Sequence, residues 1–304
     1  MKIFYAGTTE HSARMLGALH SAGHEILGVL TREDAPVGRK KELISSPVAQ
    51  KAQLLNLQLF KANVLSENLE DRIAALKPDL GYVLAYGTIL DSRLLEIPKF
   101  GWINLHYSLL PSYRGAAPVQ HAILNGESET GVTLFSLDSG VDTGPVIATA
   151  KHKLSGDENS GQALDSLTNL GIELTLKTLA NFETEFAGKK SQSSEGVTLA
   201  SKITRTDAKI SFSRSAFDLH NLIRAMNPEP MAWFEYETSP VRVLKASVLD
   251  DSLPIGTATL NGNRVIVGCE KNALALEVVQ PAGKSVMDAA DWFRGLRQES
   301  VKLA

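Results

Sequence analysis

One cysteine, Cys269, in 304 residues excludes an internal disulfide framework and fits a reducing compartment. No Cys/His cluster has zinc-ligand spacing, so no structural or catalytic metal is expected. No apolar run approaches the length of a membrane span. The opening "MKIFYAGTTEHS" meets Gly, Glu and His too early for a signal peptide, and a cytoplasmic location is expected. Charge of one sign is also lacking. With 31 Lys+Arg against 34 Asp+Glu the net charge is −3, so any basic surface has to be local. What remains is an ordinary globular composition, 43% hydrophobic and 21% charged, with ample material for a core.

The pattern opens as strand, helix, strand: "KIFYAG" (2–7), "EHSARMLGALHSAGH" (10–24) and "EILGVLT" (25–31). That order favours a parallel sheet with crossover helices. Its first turn contains Gly7 but not G-x-G-x-x-G, which argues against a dinucleotide-dependent dehydrogenase. Residues 32–47 read as a polar loop with a basic centre at Arg39, Lys40 and Lys41. A solvated surface loop is the plainer meaning; a finger that meets a polyanion is the functional one. Further strands fall at "DLGYVLAYG" (79–87), "GWINLHY" (101–107) and "GVTLFSL" (131–137), with a further, edge strand at 144–154 and a helix over 161–183. Composition shifts at 184–200 to Ser, Gly and Lys, as in a linker. Beyond it, a helix at 215–226 precedes several short β runs, the spacing of a small barrel or sandwich, and a last helix near 287–297.

Period two puts Asn104 and His106 on one face of the strand 101–107. Pro111 then ends regular pairing. Sites in open α/β sheets lie beyond strand carboxyl ends, where this pair is expected. The loop "LDSGVDTG" (137–144) also follows a strand and offers Asp138 and Asp142. An Asn, a His and an Asp suit acyl-type transfer through a tetrahedral intermediate. The amide donates to a developing oxyanion, the His donates or moves a proton, and the Asp orients that His or handles the proton through a water. Ser108 lies in "HYSLL", not in a nucleophile elbow, so direct attack of one substrate on another is expected. Singly, each residue is more often a cap, a satisfied core His or a turn former.

"NLHYSLLPSYRGAAP" followed by "GVTLFSLDSGVDTG" resembles the folate-dependent formyltransferases. "GVLTREDAPVGRKKEL", "LAYGTIL", "RGAAPVQHAI" and "LIRAMNPEPMAW" are similar to the branch that acts on methionyl initiator tRNA, and the likeness covers nearly the whole chain. It implies a Rossmann-like, mostly parallel catalytic domain over 1–188, a linker at 189–206 and a small OB-type β-barrel that binds tRNA over 207–304. It implies transfer of the formyl group of 10-formyltetrahydrofolate, as cosubstrate, to the free amino group of methionyl initiator tRNA. Asn104, His106 and Asp142 match the catalytic trio. Ser108, Leu109, Leu110 and Pro111 match a folate-binding loop, and Ala85, Tyr86, Gly87, Ile89 and Leu90 match the pterin pocket. Arg39, Lys40 and Lys41 match a loop that probes the tRNA acceptor end. A monomer is expected.

Thr9 stands where many relatives have Pro, and "GRKKE" where they read G-R-G-K-K. Ser211 replaces a frequent acidic residue. Residues 201–304 carry 13 Lys+Arg against 12 Asp+Glu, so RNA contacts need local clustering. A sugar-amine formyltransferase with the same core, and an RNA-binding module on a dead catalytic domain, are the competing readings.

Overall fold

A computed structural model describes residues 1–38 and 40–303; Arg39 lies outside the described residues. Two compact units result. The first comprises Met1–Gly115, Thr130–His152 and Leu164–Leu199; the second comprises Ala116–Glu129, Lys153–Ala163 and Ala200–Ala304.

The first unit is built on a seven-stranded sheet. Its order is Val146–Lys153, Glu129–Ser136, Trp102–His106, Leu80–Leu84, Lys2–Gly7, Glu25–Thr31, Leu59–Lys61. Lys2–Gly7 pairs in parallel with both Glu25–Thr31 and Leu80–Leu84. The chain therefore builds outward on one side of its first strand and then reverses to the other, which creates a switch point. The strand Trp102–His106 continues the parallel set but pairs antiparallel with Glu129–Ser136. The expected mostly parallel sheet is present, with an antiparallel flank.

Local chemistry explains the elements. The helix Glu10–Ser21 is capped by Thr9, whose hydroxyl accepts from the Ser12 amide at 3.3 Å. The Thr that replaces Pro thus supplies a cap that Pro cannot. Central strands are near-continuously buried, as a sheet covered on both faces requires. Phe4, Phe60 and Trp102 pack in one cluster with Leu69, Ile73 and Leu94. Trp102 lies across Gly81 of the adjacent strand and donates its indole N–H to the Leu94 carbonyl at 2.7 Å.

The stretch 32–47 is not a plain loop. Ala35–Val37 and Glu42–Ile44 form an antiparallel hairpin, with Lys40 and Lys41 in its turn. Lys41 occupies the left-handed region at φ 52°, a conformation Gly takes without strain. Lys61 ties the hairpin base through Asp34 at 2.6 Å and Ser45 at 3.1 Å. The composition shift at 184–200 also begins later than its residues suggest, because Phe182–Ala187 is helical.

The second unit carries a curled, half-barrel antiparallel sheet in the order Ala232–Tyr236, Ser239–Leu249, Ala273–Pro281, Arg264–Gly268, Thr257–Asn261, Ser300–Lys302. A bulge near Leu244 bends the second strand. Asn227 donates to the Leu244 carbonyl at 2.8 Å and so anchors the bend. The helices Ala216–Met226 and Ala289–Leu296 seal the core, with Phe212, Phe234, Trp292 and Phe293 at its centre. Among the described residues no helix is long and apolar enough to cross a membrane.

A Gly81→Ala side chain would lie 2.1 Å from a Trp102 ring atom. Overpacking of this kind costs about 1–3 kcal/mol. Urea denaturation of the variant should show a lower midpoint at unchanged slope; an unaltered midpoint contradicts this packing.

Candidate active site

The antiparallel pairing decides how the site is assembled. Ser136 pairs with Ile103, at the amino end of Trp102–His106, and not at its carboxyl end. The loop 137–144 must therefore run back along the neighbouring strand to reach His106. It closes on itself: the Ser136 amide donates to the Pro145 carbonyl at 2.9 Å. Gly144 sits so close to that closure that a Cβ would lie 1.8 Å from the Ser136 carbonyl oxygen. Asp138 staples the loop from inside, accepting from the Gly140 amide at 3.0 Å and the Thr143 hydroxyl at 2.6 Å. The two aspartates have separate tasks. Asp138 shapes the turn, and Asp142 reaches His106.

The Asp142 Oδ2 lies 3.6 Å from His106 Nδ1. That is an ion-pair distance, longer than a hydrogen bond. What fixes the ring is the other nitrogen, Nε2, 2.8 Å from the Tyr113 carbonyl oxygen. A carbonyl only accepts, so Nε2 carries the hydrogen and Nδ1 is left with a lone pair. Burial pushes the His106 pKa below its usual value, against the opposing pull of the Asp142 charge and the Tyr113 carbonyl. The ring is neutral at pH 7, with its basic nitrogen turned to a carboxylate.

Asp142 is held from several sides. The Gly115 amide donates to Oδ2 at 2.8 Å. The Gln192 amide nitrogen donates to the main-chain carbonyls of Asp142 and Gly144, both at 2.8 Å. Arg114 in turn donates to the Gln192 Oε1 from Nε at 3.0 Å and from Nη2 at 2.6 Å. Asp142, Ala85 and Tyr113 all hold positive φ, at 52°, 49° and 59°. Such conformations cost about 1–3 kcal/mol each and persist where surroundings enforce them. Sequence reasoning missed Tyr113, Arg114 and Gln192. Arg114 stands inside a quoted motif, but Gln192 sits in a Ser/Gly/Lys-rich stretch that carries no periodic signal.

A cavity of about 280 Å³ adjoins this pair. Its walls include Ala85–Leu90, Asn104 and the whole run Leu137–Asp142. Tyr86 turns its ring inward and donates to the Ala62 carbonyl at 2.9 Å, while Thr8 donates to the Tyr86 carbonyl at 2.9 Å. Ile89 and Val141 stay exposed at 83% and 64%, so the rim is apolar on two sides. Asn104 projects into the cavity wall with its Oδ1 buried and without a hydrogen-bond partner. An unsatisfied buried amide oxygen is costly and calls for a ligand or a reaction to use the group.

Of the expected site residues, Asn104, His106 and Asp142 come together, and Ala85, Tyr86, Gly87, Ile89 and Leu90 share the cavity. Ser108, Leu109, Leu110 and Pro111 do not line it. Ser108 is fully buried and donates to the Ser112 carbonyl at 2.5 Å. The Thr133 hydroxyl donates to the Ser108 carbonyl at 2.7 Å and accepts from the Leu110 amide at 3.1 Å. Leu109 packs on Gly131, where a Cβ would lie 2.6 Å from its Cδ2. These residues fix the strand exit behind His106. Lys40 and Lys41 sit in the hairpin turn, in the same unit. Among the described residues no group of three or more His, Cys, Asp or Glu side chains could hold a metal.

Residues 1–179 match the Formyl transferase family, and residues 202–297 match the Formyl transferase C-terminal domain. The chain is 41% identical over 298 residues to the methionyl-tRNA formyltransferase of Renibacterium salmoninarum, covering 97% of each. It is 39% identical over 300 residues to that of Thermobifida fusca, covering 98% of this chain and 97% of the relative. A crystal structure of an N-formyltransferase from Helicobacter canadensis, in complex with folinic acid and dTDP-3-aminofucose, has the same fold at TM-score 0.70 and 20% identity, over 92% of this chain and 99% of that one.

The Asp142 charge is the one that raises the His106 pKa against burial. Asp142→Asn should therefore move the His106 titration, followed by NMR of its ring carbon, to lower pH still. An unmoved titration means the two side chains do not sense each other.

Proposed function

Because this chain belongs to the formyl transferase family over both of its matched domains, we propose that it transfers the formyl group of 10-formyltetrahydrofolate to the free amino group of methionyl initiator tRNA. The product is N-formylmethionyl-tRNA, for translation initiation. The observation that carries the reading is Asn104 in one cavity with Asp142, its Oδ1 an orphaned acceptor open to an incoming N–H, with His106 3.6 Å from the Asp142 carboxylate.

The folate supplies the formyl carbon and departs on its own nitrogen. The attacking amine must be neutral, and an α-amino group titrates at roughly 7.7–8.0, so it needs little help to deprotonate. Its nitrogen bonds to the formyl carbon, and the bond from that carbon to the folate nitrogen breaks. As the carbonyl oxygen becomes negative, the Asn104 amide donates to it. The neutral His106 has no second hydrogen to give, so it acts first as an acceptor at Nδ1. Asp142 faces that nitrogen at 3.6 Å and stabilises the imidazolium once the amine proton arrives. The proton then passes to the departing folate nitrogen, which balances the step.

The cavity of about 280 Å³ suits a bicyclic ring rather than a whole folate, so Ala85, Tyr86, Gly87, Ile89 and Leu90 with 137–141 are assigned to the pterin end. The left-handed turns at Ala85 and Gly87 expose main-chain groups to such a ring. Ser108, Leu109, Leu110 and Pro111 back the same slot by fixing the strand that bears His106. The hairpin turn with Lys40 and Lys41 is assigned to the tRNA acceptor end, together with Arg39. Residues 1–188 form the catalytic domain in this reading, 189–206 the connection and 207–304 the tRNA-binding domain. The enzyme acts in the cytoplasm as a monomer.

The test is formyl transfer from 10-formyltetrahydrofolate to methionyl initiator tRNA, with uncharged tRNA and amino-sugar nucleotides as controls. Transfer only to a sugar amine would overturn the substrate assignment. Asn104→Ala should lower turnover by about 10²–10³-fold while tRNA binding changes little. Near-normal turnover in that variant removes Asn104 from the chemistry.

A further inference from the structure

We propose that Gln192 is a positioning residue, clamped by Arg114, that holds Asp142 in register with His106. The proposal rests on the formyl-transfer reading for its kinetic arm only.

The orientation of the Gln192 amide is decided by its partners. A guanidinium can only donate, and both Nε and Nη2 of Arg114 point at one oxygen, at 3.0 and 2.6 Å. That atom is the carbonyl Oε1, so the amide nitrogen faces the other way. Its two hydrogens are both used, on the carbonyls of Asp142 and Gly144 at 2.8 Å each. Every strong donor and acceptor direction of this side chain is committed, and all commitments bear on one loop.

That loop needs a clamp. Asp142 sits in the left-handed region at φ 52°, which an ordinary side chain leaves unless held. The loop is pinned at its base by the Ser136 amide on the Pro145 carbonyl, at 2.9 Å, beside Gly144, where no side chain would fit. Gln192 arrives from a fixed direction. Two residues earlier, Lys190 and Val146 exchange main-chain hydrogen bonds, both at 2.8 Å. One residue after the clamp's anchor, Arg114, the Gly115 amide grips the Asp142 carboxylate itself, at 2.8 Å. Main chain and carboxylate of Asp142 are thus held independently, and both holds trace to Arg114–Gly115. The stretch that composition marks as a linker in this way braces Asp142.

A merely structural Gln would stabilise the unit without touching the chemistry, so the test needs a readout that stability alone does not move. Gln192→Glu keeps an oxygen for Arg114 but turns a second oxygen onto two carbonyls, which pushes the loop away. Displacement of a supporting hydrogen bond behind a reactive group costs about 10–100-fold. The expected result, in the full chain, is a kcat lower by about 10–100-fold with KM for methionyl-tRNA within about twofold. The His106 titration, followed by NMR, should also shift to lower pH, since the Asp142 charge that raises it has moved away. Arg114→Leu, which frees the Gln192 amide to flip, should shift both readouts in the same direction and serves if Gln192→Glu does not fold. An unchanged kcat and an unchanged His106 titration in either folded variant overturn the proposal. If the wild-type chain does not formylate methionyl-tRNA at all, the function fails, and the His106 titration still decides the role of Gln192.

Discussion

Three consecutive residues, Tyr113–Gly115, hold His106 and Asp142 in place. The carbonyl of Tyr113 takes the Nε2 hydrogen of His106, and the amide of Gly115 meets the carboxylate of Asp142. Between them, Arg114 reaches the amide that clamps the Asp142 main chain. Tyr113 takes a left-handed backbone conformation here, and the Thr198 hydroxyl accepts from its amide at 2.7 Å. Moving this segment by a fraction of an ångström would move both side chains at once.

The electrostatic consequence follows from burial. A protonated His106 would be desolvated with one carboxylate at 3.6 Å and one carbonyl at 2.8 Å to compensate, and burial outweighs both. The ring is therefore neutral at pH 7. Asn104 shows the same economy of preparation. Its amide oxygen is desolvated in the folded protein and has no partner there. That oxygen only accepts, so it is placed for an incoming N–H.

Part of this was legible in the sequence. Asn104 and His106 had to share a face because side chains alternate along a strand. From spacing alone Asp142 was indistinguishable from Asp138; only the family motif singled it out. The antiparallel pairing of Ile103 with Ser136, which sends its loop back along the sheet, has no local signature. The hairpin at 35–44 was hidden because its strands are three residues long, too short for periodicity to register. Gln192 was invisible for a different reason. Its partners are 50 and 78 residues away in the chain, and its neighbours are small and polar, as in any connector. The loop Ser108–Pro111 shows the converse. Its motif is plain in the sequence, yet its hydrogen bonds to Ser112 and Thr133 turn it toward the core behind the site.

The tautomer of His106 carries the central claim, because the basic nitrogen must be the one that faces Asp142. Nitrogen NMR on the full chain with labelled histidine reads it directly. At neutral pH the ring should show a protonated Nε2 and a bare, pyridine-like Nδ1. A ring protonated at Nδ1, or at both nitrogens, would contradict the claim.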